Sequence, residues 1–169
     1  MRTAVLLPGL LLGMLLAVAA LPAETYMLLV ESSLDGEAAP SPPAALEGLM
    51  SAMFESGQVT FDCGPYRPQA DWQDLEFREP LEIALQGGAH YLATVRLAVR
   101  SLPAQAGRLP SFALQARFQL WDPRGGGLLG EGGLELDNRD REGELPYEAL
   151  LFRAGELTAA ELRRLAARR

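Results

Sequence analysis

Residues 111–121, SFALQARFQLW, alternate without a break, with Phe112, Leu114, Ala116, Phe118 and Leu120 on one side and Ala113, Gln115, Arg117, Gln119 and Trp121 on the other. A period of two sends the first set to one face of a strand and the second set to the opposite face, and no helix can separate them so cleanly. The next stretch, DPRGGG, opens a second alternation, with Leu128, Gly130, Gly132, Leu134 and Leu136 set against Leu129, Glu131, Gly133 and Glu135. Within it Gly125, Gly127 and Gly130 satisfy the G-x-G-x-x-G spacing of a dinucleotide loop. That loop works only where a strand enters and a helix leaves, because the N–H groups of the helix hold the pyrophosphate. Here a strand leaves, and glycine-rich sequence starts a helix poorly. The stretch therefore reads as a hairpin turn, Gly130, Gly132 and Gly133 read as a bulge or a close backbone approach, and no cofactor is expected.

The strand before it is equally legible. From His90, Tyr91, Ala93, Val95, Leu97 and Val99 alternate with Leu92, Thr94, Arg96, Ala98 and Arg100, which puts the first set in the core. Near the amino terminus TYMLLVE, residues 25–31, is apolar without alternation, as expected of a strand covered on both faces. SSLDGEAAPSPP then reads as a loop. Ser41 as N-cap, with Pro42 and Pro43 in the first turn, starts a helix whose apolar face is Leu46, Leu49, Met50, Met53 and Phe54, and Gly57 ends it. Val59-Thr60-Phe61 resumes as a strand, so the region is a β-α-β unit. Residues 62–78 carry no clear period and read as loop. Pro80–Gln86 reads as a helix stopped by Gly87-Gly88, although Leu81, Ile83 and Leu85 would also suit a strand. DNRDREGE, 137–144, reads as a solvated loop. The chain ends in a helix, with Thr158 and Glu161 as a capping box, Leu157, Leu162 and Leu165 as its apolar stripe, and terminal arginines that suit the helix dipole. The expected class is α/β, with α+β as the variant: a mixed sheet of four to five strands, an amino-terminal β-α-β unit, a late hairpin and a carboxyl-terminal helix.

The first residues bear on location. One charge at Arg2, an apolar run from Ala4 to Ala23 and small residues at its end are the layout of a secretory signal peptide, cut after Ala23 or after Ala19. An uncleaved anchor is the competing reading, weakened by Pro8, Gly9 and Gly13. No cysteine follows the run, so no lipid anchor is expected. Removal of residues 1–23 leaves 146 of 169, the size of one domain, and takes the net charge from -7 to -8, since Arg2 is the only charge in the leader. All the permanently basic residues are arginine. An acidic surface disfavours nucleic acid and anionic lipid, and membrane contact is expected only if the leader stays. Cys63 is alone, so no internal disulfide forms.

No residue pattern names a chemistry. His90 is the one histidine, too few for a zinc site and better read as structural. Cys63 lacks a base placed to activate it. Asp71, Asp74, Glu76 and Glu79 form the densest acidic cluster, which would have to converge to run glycoside hydrolysis or bind calcium, and otherwise reads as a solvated loop. Tyr66, Trp72 and Phe77 share that segment; loop aromatics commonly anchor a loop to the core, and they are also the residues enriched at interface hot spots. The candidate interaction surface is therefore Tyr66, Trp72, Phe77, Asp71 and Asp74, with no catalytic, cofactor-binding or metal residues assigned.

The order of elements, with the helix AALEGLMSAMFESG, the strand QVTF, GGAHYLATVRLAV and FALQARFQLWDPRGGGLLGEGGLEL, resembles the periplasmic α/β domain of penicillin-binding-protein activator lipoproteins, of the curli secretion lipoprotein and of the TolB amino-terminal domain. In that group a helix ending in "SG" leads into a strand and a later strand ends in a "D-x-x-G" hairpin; Gly87-Gly88-Ala89 and Asp122-Pro123-Arg124-Gly125 stand in the matching places. The lipobox cysteine is absent. The resemblance implies a non-enzymatic exported module that binds a protein or cell-wall component of the envelope. The alternative from another class is a small secreted hydrolase using the acidic loop, and a third reading is a structural protein tethered by its leader.

Overall fold

A computed structural model describes residues 23–39, 43–62, 78–103, 110–140 and 143–168. The leader, Ser41, Cys63 and the aromatic and acidic segment from Tyr66 to Phe77 lie outside the described residues. The elements run β1 (Thr25–Leu34), β2 (Glu37–Ala39), α1 (Pro43–Glu55), β3 (Val59–Asp62), α2 (Arg78–Gln86), β4 (Tyr91–Ser101), β5 (Phe112–Asp122), β6 (Gly127–Asp137), β7 (Arg139–Asp140), β8 (Gly143–Glu144) and α3 (Tyr147–Ala166). Six strands form one mixed sheet in which β1 pairs in parallel with β3 on one side and β4 on the other, and β4, β5 and β6 follow antiparallel. The α/β class, the β-α-β unit, the late hairpin and the final helix are all present, with more strands than the sequence suggested.

β1 is apolar throughout because it is covered twice. Tyr26 and Leu28 enter the large core under α1 and α3, while Met27 and Leu29 enter a smaller one under α2. The strand runs further than TYMLLVE. Asp35 and Gly36 both have positive φ, 53° and 90°, and they turn the chain straight back into β2, where a plain loop was expected. Asp-Gly between strands is the signal for that two-residue turn. The Asp35 carboxylate accepts hydrogen bonds from the Ser101 N–H (2.7 Å) and Oγ (2.8 Å), which tie the turn to the end of β4 and hold its carboxyl below the usual aspartate range.

Both early helices end as their glycines require. At the end of α1 the Gly57 N–H donates to Phe54 O and the Gln58 N–H to Met53 O; at the end of α2 the Gly88 N–H donates to Leu85 O and the Ala89 N–H to Ala84 O. These are the paired bonds that a left-handed residue after a helix permits, and Gly57 and Gly88 have φ of 81° and 75°. The apolar face of α1, however, is centred on Ala45, Gly48, Leu49 and Met53, and Phe54 is 75% exposed. The reason is the neighbouring helix. A Cβ on Gly48 would enter the Phe152 backbone and one on Gly155 would enter the backbone of Ala45 and Leu49, so α1 and α3 touch through small residues and rotate Phe54 out.

α3 is twice the expected length. It starts at Tyr147, and Thr158 is fully buried in mid-helix, so the Thr158–Glu161 capping box is not formed. Leu150, Leu151 and Ala154 extend the buried stripe ahead of Leu162 and Leu165, and this tertiary burial decides the start of the helix. The segment 137–144 is likewise more than solvated loop. Asn138 is buried, accepts from the Phe112 N–H, and donates to Pro110 O and Leu145 O, fastening the end of β6 to the start of β5 and of α3.

In the β5–β6 hairpin Asp122 Oδ1 accepts the Arg124 N–H and Asp122 O accepts the Gly126 N–H. A bulge between Leu120 and Trp121 shifts the register, so that Trp121 pairs with Leu128 and Leu120 with Gly130. Leu129 thereby joins the main core and Leu128 is exposed, the reverse of simple alternation. Gly130 and Gly132 make room for Leu165 and for the Phe118 ring. Trp121, on the outward side of β5, packs on the core under α2.

Three outcomes follow for denaturant melts. Phe118→Ala, which removes a ring 2% exposed, lowers stability by about 3 to 5 kcal/mol, while Gln119→Ala on the other face costs within about 0.5 kcal/mol; equal losses would mean that the register is wrong. Gly155→Ala is destabilising by about 1 to 3 kcal/mol, although alanine favours a helix by about 1 kcal/mol, because the methyl meets backbone; a neutral result would show a looser helix contact. Since the folded Asp35 carboxyl titrates low, its contribution is present above the ordinary aspartate pKa of about 3.9 and is lost as pH falls through the lower folded value. The advantage of the native chain over Asp35→Asn, measured as a difference in urea midpoint, therefore shrinks on acidification.

Candidate functional site

The two faces of the sheet are covered unequally. α1 and α3 lie across the first face, where Tyr91, Ala93, Val95, Leu97 and Val99 of β4 and Leu114, Ala116, Phe118 and Leu120 of β5 are buried. Over the second face the nine-residue α2 covers, among the described residues, Met27, Leu29, Phe61, Leu92 and Trp121. Beyond it, among the described residues, the second face of β4, β5 and β6 is bare, and its side chains are polar as an uncovered strand face requires.

Register puts these side chains in rungs. One rung runs Glu31, Arg96, Arg117, Gly133; those on either side run Leu29, Thr94, Gln119, Glu131 and Ser33, Ala98, Gln115, Glu135. Gln119 Nε2 donates to Glu131 (3.2 Å) and Gln115 Nε2 to Glu135 (3.1 Å), so two amide–carboxylate pairs flank the central rung. Arg96 and Arg117 are directly opposite, an unfavourable like-charge pair. Glu31 offsets it for Arg96, whose Nε lies 3.2 Å from Glu31 Oε2. Partial burial pushes the Glu31 carboxyl above the ordinary range even against the opposing Arg96 charge. Arg117 has no hydrogen bond or ion pair among the described residues, and its neighbour in the rung is a glycine. The result is a shallow depression of about 760 Å³ with a free guanidinium at its centre and amide and carboxylate groups around it. Such a floor suits a partner that offers a carboxylate and backbone-like donors and acceptors.

A second polar group closes the other end of β1. Glu24 accepts from the Tyr26 hydroxyl (3.0 Å) and the Tyr91 hydroxyl (3.2 Å), and the two rings pack at a tilt of 36° with centroids 4.9 Å apart. Burial, then the Glu24 carboxylate, raises the Tyr26 phenol far above its usual range. His90 Nδ1 accepts the Thr25 N–H at 3.1 Å, so the one histidine holds backbone. Both groups are half or fully buried and fasten the first residues of the fold.

Of the residues singled out in the sequence, Tyr66, Asp71, Trp72, Asp74, Phe77, Glu76 and Cys63 lie outside the described residues; Glu79 is exposed on the first turn of α2. Among the described residues no three His, Cys, Asp or Glu side chains gather as a metal site would need, and no helix is long and apolar enough to cross a membrane. Sequence reading assigned Arg96, Arg117, Gln115 and Gln119 to outward positions but not to a common site. The hairpin turn could have found part of it, since folding 115–119 onto 131–135 about Asp122–Gly127 pairs both glutamines with glutamates.

No family model matches the chain, and no curated protein matches its sequence. Solved structures match its fold. PelC from Paraburkholderia phytofirmans, a dodecamer, superposes with a TM-score of 0.53 at 14% identity, over 83% of this chain and 88% of that one. The hypothetical protein CT253 from Chlamydia trachomatis gives 0.50 at 13%, over 86% and 99%. The group to which the sequence was likened is also represented: the LpoB C-terminal domain from Salmonella enterica gives 0.45 at 18%, over 76% and 93%. At these identities the likeness is one of fold.

Proposed function

We propose that this chain is an exported, non-enzymatic module of a bacterial envelope, and that it binds a protein or other envelope component through the bare polar face of its sheet. On this reading residues 1–23 are removed and 24–169 form one periplasmic domain. The observation that carries the proposal is the unequal covering of the sheet among the described residues: a floor of strand side chains, charged and amide-rich, where the Arg117 guanidinium has no described partner. A floor of that kind presents several hydrogen-bonding groups at once, which suits recognition of an extended surface. Glu24 is tied into the domain through the Tyr26 and Tyr91 hydroxyls and Ala23 before it is exposed, which supports processing ahead of Glu24. The sequence adds Tyr66, Asp71, Trp72, Asp74 and Phe77 as further candidate contacts.

Two measurements test this. Mass spectrometry of the protein from its native envelope should give an amino terminus at Glu24 or Ala20 in the periplasmic fraction, and retention of residues 1–19 in the membrane would overturn export and cleavage. Cross-linking in the native envelope should capture a partner with the native chain and with Arg153→Ala, an exposed site on α3, and lose it with the double change Gln115→Lys and Gln119→Lys. The lysines can still pair with Glu135 and Glu131, so the fold is kept while the face changes. The same partner captured by all three proteins would rule out this face.

A further inference from the structure

β6 is the last strand of the sheet. It pairs with β5 along Gly127–Asp137, and among the described residues nothing pairs with its other edge. An open edge of that length presents a row of unpaired N–H and C=O groups, which proteins ordinarily guard with lysine, proline or a bulge. GLLGEGGLELD contains no lysine and no proline. Its bulge sits at the hairpin end, which leaves 130–137 in regular register. Its glutamates are not guards either, since Glu131 and Glu135 are held back over the sheet by Gln119 and Gln115.

A second observation says what the edge fits. Arg117 lacks a partner among the described residues, and Gly133, the residue between it and the edge in its rung, has no side chain to block it. We propose that two copies of this chain join through β6, antiparallel and centred on Gly132, and that Arg117 of each copy pairs with the partner's Glu131 across Gly133. The inference goes beyond the binding role proposed above and does not depend on it.

The register follows from charge. Paired residues share a sheet face, so a two-fold pairing centres on one residue. Centring on 131 sets Glu131 against itself; centring on 133 sets Glu131 against Glu135; centring on 134 sets Glu131 against Asp137; centring on 135 sets Glu135 against itself. Centring on 130 runs the pairing into the bulge. Centring on Gly132 pairs 130–134, inside the regular part of the strand, and opposes no two acids: Glu131 meets Gly133, and Gly130 meets Leu134. The central rung then reads Glu31, Arg96, Arg117, Gly133 and continues into the partner's Glu131. Neighbouring strands lie about 4.8 Å apart, which separates Arg117 from the partner's Glu131 by about 10 Å at the backbone. The two side chains reaching toward one another over a glycine span that gap. Gln119 engages Glu131 Oε2, so Oε1 stays available. On the opposite face Leu134, half-buried at the rim of the main core, lies beside the added strand.

Sedimentation equilibrium of the protein recovered from expressing cells tests the proposal, with circular dichroism as a check on folding. A dimer is expected. Arg117→Glu and Glu131→Arg should each weaken it by about tenfold or more, as loss of close interfacial charge pairs does, and Arg117→Gln should weaken it less than Arg117→Glu. The double change Arg117→Glu with Glu131→Arg exchanges the charges in the same register and should restore the dimer. A monomer at every concentration, an oligomer that the single changes leave intact, or a double variant no better than the singles would each overturn it.

Discussion

The contact between α1 and α3 sets the terms for the rest of the molecule. Two helices can cover one face of this sheet only if they lie close together, and they do so because Gly48 and Gly155 let backbone meet backbone. Small residues at such a crossing give up side-chain burial on the helices in exchange for proximity, and the loss is recovered on the sheet, where Tyr26, Leu28, Val95, Leu97, Phe118 and Leu120 are all removed from water beneath the pair. The same closeness turns Phe54 away from the core and draws Thr158 into it, two placements that hydrophobic periodicity alone assigns the other way.

With both long helices committed to one face, the other has among the described residues α2, nine residues long and placed at the end of the sheet where β3, β1, β4 and the tip of β5 meet. Everything beyond must be tolerable to water, which is why β4, β5 and β6 carry arginine, glutamine and glutamate there. The face is nonetheless organised. Its charges are matched rung by rung, glutamine to glutamate twice and arginine to glutamate once, with Arg117 left over where glycine replaces the last acid of its rung. A surplus guanidinium beside an open edge is where a partner of opposite charge gains most, because the ion pair forms beside a fresh ladder of backbone hydrogen bonds.

Much of this was readable residue by residue. The alternation of β4 and β5, the strand that leaves DPRGGG, and the glycines that end α1 and α2 are local signals, and each element stands where its signal placed it. The DG turn after β1 is equally local, but the proline-rich sequence behind it makes the whole stretch read as loop. The buried Asn138 was not local at all: among DNRDREGE it looks like any loop asparagine, and only the meeting of β5, β6 and the start of α3 supplies its three partners. The amino-terminal half of α3 was hidden for the same reason, since Pro146 offers no side-chain cap and the helix is held by packing.

The sequence by itself determined the periods of the strands, the positions of the turns and the sorting of β4 and β5 into an apolar side and a polar side, because these depend on a residue and its near neighbours. Tertiary structure decided which polar side would stay uncovered, that Arg96 and Arg117 would stand opposite one another, and that Gly133 would lie between Arg117 and the edge. Those relations arise from strand register, which is fixed by how side chains from distant parts of the chain pack together, and no local pattern encodes it.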